Sequence, residues 1–107
     1  MRFLCLAYGK EADWLALDES RRAELLAQDD VLRQRGAMIS VLGDATVVRA
    51  WDGTPRTTSE PYAAGDAPLA GFSLIEAADI DEAVSLVAGT PCAVAGGAIE
   101  IRPLVDV

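Results

Sequence analysis

The last third of the chain leaves few architectures open. Leu69-Ala-Gly-Phe-Ser-Leu-Ile-Glu76 is an apolar run of strand length, Asp79 to Ala88 has helical periodicity behind a cap signal, and Gly97-Ala-Ile-Glu-Ile-Arg-Pro103 reads as a second strand. Almost no slack separates them. A chain that leaves a sheet, forms a helix and returns needs a helix-sized connection, and such crossovers are right-handed. The spacing therefore predicts a βαβ unit, with strands over 71–76 and 98–102 parallel in one sheet. Asp79 with Glu82 three residues on is a capping-box arrangement with Asp in place of Ser or Thr. Ala83, Val84, Val87 and Ala88 supply the helix's apolar face, and Gly89 ends it.

The first half repeats the pattern. Arg2 to Tyr8 is apolar on both faces, which suits a central strand. Asp18 offers an N-cap to a helix running through Arg35, with Glu19 in its first turn, Arg33 and Arg35 in its last, and Gly36 as its stop. Ala37 to Leu42 is a second strand. Thr46 to Trp51 and Thr54 to Thr58 flank Asp52-Gly53 as a hairpin, whose returning arm Pro55 keeps short. Ser59 to Pro68 is a Pro-, Gly- and Ala-rich loop. The order β-α-β, hairpin, β-α-β predicts an α+β fold: a ferredoxin-like split βαβ with an inserted hairpin and both helices on one face. The other sheet face would then be bare and apolar, so a homodimer that covers it is expected.

The 107 residues make one domain, 1–107, with 51% hydrophobic but only 6% aromatic residues, so Leu, Val, Ile and Ala build the core. Nine basic and seventeen acidic residues give a net charge of −8, which repels phosphate backbones and anionic lipids; neither nucleic acid nor membrane is an expected partner. No apolar run reaches the roughly 20 residues of a spanning helix, and Gly9-Lys10-Glu11 interrupts the N-terminal run where a signal peptide would continue, so the cytoplasm is the expected location. Zero histidines exclude Ser-His-Asp and Cys-His mechanisms and disfavour zinc. Cys5 and Cys92 match no metal or redox spacing and read as reduced packed thiols. No metal and no cofactor is expected.

On the long helix Leu25 and Leu32 share a face bordered by Leu26, and Arg22 and Asp29 project between them, either into a cleft or as a rim pair with heads in water. In the 59–68 loop, Ser59, Glu60, Tyr62 and Asp66 could orient a small polar ligand or tie down their own backbone. Tyr8, at a strand end, could line the same cleft. Glu76 and Glu100 are expected at matching points of adjacent strands, either as an acid and base pair or in strand-end salt bridges with Arg102 and Arg49. Gly96-Gly97 lacks the strand and helix of a phosphate cradle. Trp14, in a pre-helical loop, and Trp51, beside the turn, suit ring stacking or dimer contact.

Over nearly its whole length the chain resembles the YCII-related family, in its DGPF-motif branch. The residues that carry this are the Met1-Arg-Phe-Leu-Cys-Leu-Ala-Tyr-Gly9 start, Ala45-Thr-Val-Val-Arg49 with Asp52-Gly53, the Leu69 to Glu76 strand, Asp81-Glu-Ala83, Pro91 and the Gly97 to Pro103 strand. The resemblance implies a dimeric α/β barrel of two ferredoxin-like chains. The family's motif falls on Ser59 to Ala67, where only Pro61, the aromatic Tyr62 and Ala63 survive: Ser59 stands for its leading Asp, Ala64 and Ala67 for its Glu residues, and Asp66 for its Lys. Enzymes of the wider family resemble one another in a His and Asp pair, and this chain has no His. The expected function is a homodimer that binds a small molecule in its inter-subunit cleft with weak or no catalysis. The alternatives are a cofactor-free lyase or isomerase using Tyr62 with Glu60 or Asp66, and a regulatory protein partner.

Overall fold

The computed structural model describes residues 1–63 and 65–107; Ala64, within the motif segment, lies outside the described residues. In chain order the elements are β1 (Arg2–Tyr8), α1 (Glu11–Leu15), α2 (Glu19–Gln34), β2 (Met38–Val41), β3 (Val47–Arg49), β4 (Arg56–Thr58), β5 (Leu69–Glu76), α3 (Ile80–Val87), α4 (Pro91–Val94) and β6 (Ala98–Pro103). Four strands form one sheet in the order β2-β5-β1-β6, with every neighbouring pair antiparallel. This is the ferredoxin-like arrangement, and β3 with β4 forms the inserted hairpin as a separate two-stranded sheet.

β5 and β6 run in the same direction, as a crossover requires, but β1 lies between them. Glu76 pairs in register with Arg2 and Glu100 with Leu6, so the two carboxylates are not cross-strand neighbours. Strand direction follows from the connection, whereas strand adjacency does not. Arg102 does pair with Glu100, at 2.7 Å. Arg49 instead stacks over the Tyr62 ring, 5.4 Å from its centroid, and ties the hairpin to the loop that follows.

The helix ends follow their sequence signals. Asp18 caps α2 by accepting from the Arg21 amide at 2.7 Å, and Asp79 caps α3 by accepting from the Glu82 amide at 2.9 Å. Glu82 Oε1 accepts in return from the Ala78 amide, one residue before the cap, and at 3.4 Å from Arg35, the C-cap of α2, which links the two helices. Gly36 leaves α2 at φ 92°, a conformation other residues rarely adopt.

Alternation along the strands gives the sheet two different faces. Phe3, Cys5 and Ile75 turn toward the helices and join Leu32, Ala77, Ala83 and Val87 in the core. The opposite face carries Leu4 and Leu6 of β1 and Phe72 and Leu74 of β5, all half-buried, with Met38 at the edge 60% exposed. Arg2, Glu76, Glu100 and Arg102 frame it, two cations and two anions. Among the described residues no helix or strand packs over this apolar strip. The β3–β4 hairpin packs on itself, makes no substantial contact with the other elements, and presents Trp51 91% exposed beside its turn. Gly53 sits there at φ 84°, and Asp52 holds the turn by pairing with Arg56 at 2.8 Å.

Candidate functional site

The side chains on the helix-facing side of β1 and β5 shrink along the register. Phe3 faces Ile75, Cys5 faces Ser73, and Ala7 faces Gly71. α3 packs over the large end. At the small end the sheet cannot fill the space beneath α2, and a cleft of about 650 Å³ opens there. Gly71 is required by β2, because a Cβ at that position would lie 2.7 Å from the Ser40 carbonyl oxygen. The taper that makes the cleft is therefore partly a consequence of strand pairing.

Three helices complete the walls. α2 contributes Leu26, Asp29, Leu32 and Arg33; α4 contributes Pro91, Cys92 and Ala95 just beyond its end; α1 contributes Trp14 at the mouth. α4 is held against the end of β1 so closely that its Cys92 sulfur would be 3.0 Å from a Cβ on Gly9. Thr90, buried ahead of α4, donates its hydroxyl to the Val87 carbonyl at 2.6 Å. The lining is predominantly apolar, with Lys10 and Glu11 exposed at the rim.

The titratable groups inside are shifted by burial. Desolvation pushes the Asp29 carboxyl above its ordinary value of 3.8, Arg33 pulling it down and Asp30 pushing it further up. Burial also raises the Cys92 thiol, helped by the negative charge of Asp29, and raises Cys5 against the opposing hydrogen bond from Ser73. Both thiols are unpaired, and both stay protonated at neutral pH, the unreactive form.

A carboxyl whose pKa is higher in the folded protein than in the unfolded chain holds its proton more tightly when folded. Stability therefore falls as pH rises through the range above 3.8 and stays lower beyond it. Asp29→Asn removes that penalty. The variant is expected to melt higher than the parent at pH 7 and to match it near pH 3, in paired thermal melts; a variant less stable at pH 7 would contradict the assignment.

Of the residues singled out from the sequence, Asp29 lines the cleft, while Arg22, half-buried on the same helix, does not. Tyr8 lies half-buried at the end of β1, one position out of phase with Ala7 and so on the bare sheet face. Ser59, Glu60, Tyr62 and Asp66 are exposed in their loop and none lines the cleft. Trp14 belongs to helix α1, not to a loop, because Lys10 and Ala12 carbonyls take up the amides of one full turn. Cys5, Cys92 and Ser73 line the cleft without having been read as site residues. The signal that locates them is the declining size of the inward strand positions, visible only once the β1–β5 register is set.

Among the described residues no three His, Cys, Asp or Glu side chains could hold a metal ion, and no helix is long and apolar enough to cross a membrane. No curated protein matches the chain. The fold is similar to that of a solved structure from Burkholderia phenoliruptrix AC1100, the 5-chloro-2-hydroxyhydroquinone dehydrochlorinase TftG in complex with 2,5-dihydroxybenzoquinone. The TM-score is 0.52 at 20% identity, covering 98% of this chain and 94% of that one. The family model of the YCII-related domain matches residues 1–107 in full. The chain belongs to the YCII-related family.

Proposed function

We propose that this protein binds a small, ring-sized molecule in the cleft between α2, α4 and the sheet, and that it has little or no catalytic activity. The observation that carries this is the cleft itself. At about 650 Å³ it falls within the roughly 300–1,000 Å³ range of ligand pockets, and its apolar walls with Trp14 at the mouth suit a ring. The ring-sized ligand in the TftG complex, held by a protein of similar fold, supports the same size class. Two facts favour binding over chemistry. No histidine is present to act as a base, and burial keeps both thiols protonated.

The binding unit in this reading is a homodimer joined through the bare sheet faces. That strip is apolar at its centre, and its frame is neutral in a molecule of net charge −8, so a second copy can approach there without the repulsion it meets elsewhere. Two unpaired thiols fit a reducing compartment, the cytoplasm.

A thermal-shift panel of ring-sized alcohols, phenols, amines and quinones tests the cleft. A ligand at one hundred times its Kd stabilises the folded state by about 2.7 kcal/mol, a rise on the order of 10 °C for a domain of this size. Leu26→Trp fills the cleft from a position that is 50% exposed, so the fold tolerates it while the shift is lost. A panel in which nothing raises the melting temperature, or in which Leu26→Trp responds like the parent, overturns the reading.

A further inference from the structure

Two hydroxyls in the cleft wall are already engaged. The Thr90 hydroxyl is committed to the Val87 carbonyl and the Ser40 hydroxyl to the Val41 carbonyl at 2.9 Å. Asp29 is not. It is half-buried in the α2 wall, and among the described residues its carboxylate has no hydrogen-bond or ion-pair partner. Arg33, the nearest candidate, gives its guanidinium to Asp30 at 2.9 Å. The group that faces Asp29 from α4 is the Cys92 thiol, a weak donor. Lys10 and Glu11 stand exposed at the rim, and Cys5 lies deeper on β1. The cleft thus offers its occupant, within its apolar walls, an unengaged acceptor that carries a negative charge.

We infer that the ligand of this cleft is a small apolar ring compound that presents a hydrogen-bond donor, an ammonium or a hydroxyl group, to the Asp29 carboxylate, and not one that presents a carboxylate of its own. The inference rests on the cleft being a ligand site and names the chemistry that site selects. A donor completes the unsatisfied carboxylate through a charge-assisted hydrogen bond, the stronger kind. An anion would meet Asp29 at close range in a molecule that is already strongly negative. Burial has raised the carboxyl, with Arg33 opposing and Asp30 reinforcing the shift, so part of its hydration is already lost before the ligand arrives. An ammonium ligand binds the ionised form, and its affinity falls as pH drops through the titration of Asp29.

Benzylamine, benzyl alcohol and benzoate share one ring and differ in the group offered to Asp29. Their affinities for the full chain can be compared by NMR titration, on the parent protein and on Asp29→Asn, which is isosteric, removes the charge and keeps one acceptor oxygen beside an NH2 donor. Benzylamine and benzyl alcohol are expected to bind at least tenfold more tightly than benzoate. Asp29→Asn is expected to weaken benzylamine tenfold or more, to weaken benzyl alcohol less because the amide carbonyl still accepts, and to abolish the pH dependence of benzylamine binding. Benzoate binding as tightly as benzylamine would overturn the inference without any variant. So would an unchanged benzylamine affinity in Asp29→Asn while Leu26→Trp still blocks binding; in that case the cleft stands as a ligand site and Asp29 is not its anchor. If none of the three binds at millimolar concentration, this inference and the cleft reading fall together.

Discussion

Gly97→Ala is expected to destabilise the protein by about 3 kcal/mol, near the upper end of what inserting one methyl group costs. A Cβ at Gly97 would overlap the Tyr8 carbonyl oxygen and would lie 2.9 Å from the Cys92 carbonyl oxygen and 3.1 Å from the Gly9 Cα. All three are backbone atoms, so no rotamer change relieves the contact. Either β6 must part from β1 at the Tyr8 and Ala98 pair, or α4 must lift from the end of the sheet. The second movement would also displace the Cys92 wall of the cleft, so ligand affinity should fall together with stability. Gly43→Ala is the matched control, since a Cβ there meets nothing within 4 Å and its φ is not in the left-handed region. In urea titrations the Gly97 variant should lose about 1 M or more in midpoint at unchanged slope, with the Gly43 variant near the parent. A Gly97 variant within about 0.5 kcal/mol of the parent, the range of neutral surface changes, would contradict the packing described for α4.

The second large effect concerns the bare sheet face. Leu6 stands at its centre, between Phe72 on β5 and Glu100 on β6. A lysine at this position can pair across strands with Glu100, so a single chain with Leu6→Lys keeps its fold. Between two packed sheets the same ammonium would be buried beside its own symmetry mate, which is strongly unfavourable. Sedimentation equilibrium is expected to give twice the chain mass for the parent and the single-chain mass for Leu6→Lys, with dimer affinity lower by 100-fold or more. A parent protein that sediments as one chain, or a variant that still pairs, would remove the dimer from the account.

Much of the architecture can be read from residue patterns because local signals and tertiary demands agree. Asp18, Gly36 and Asp79 mark helix ends that the structure keeps, and Asp52-Gly53 marks the hairpin turn. The two short helices are illegible for a physical reason: five residues at α1 and four at α4 are too few to show a period, and α4 depends on glycines at positions 9 and 97 that let it approach the sheet. Strand order is only half legible, because direction follows from a crossover while adjacency does not; Glu76 and Glu100 are separated by β1. In the cleft, Asp29 is readable from a helical projection as a carboxylate on an otherwise apolar stripe. Its companions Trp14, Ser73 and Cys92 come from three different elements and meet only in the folded chain.

The most direct test is where a ring-sized ligand lands. Amide and side-chain NMR shifts of the parent protein, recorded as benzyl alcohol is added, are predicted to cluster on Trp14, Leu26, Asp29, Ala70 and Cys92, which surround the cleft. Shifts that gather instead on the exposed residues Ser59, Glu60, Tyr62 and Asp66, or on Leu4, Leu6 and Leu74 of the bare sheet face, would contradict it.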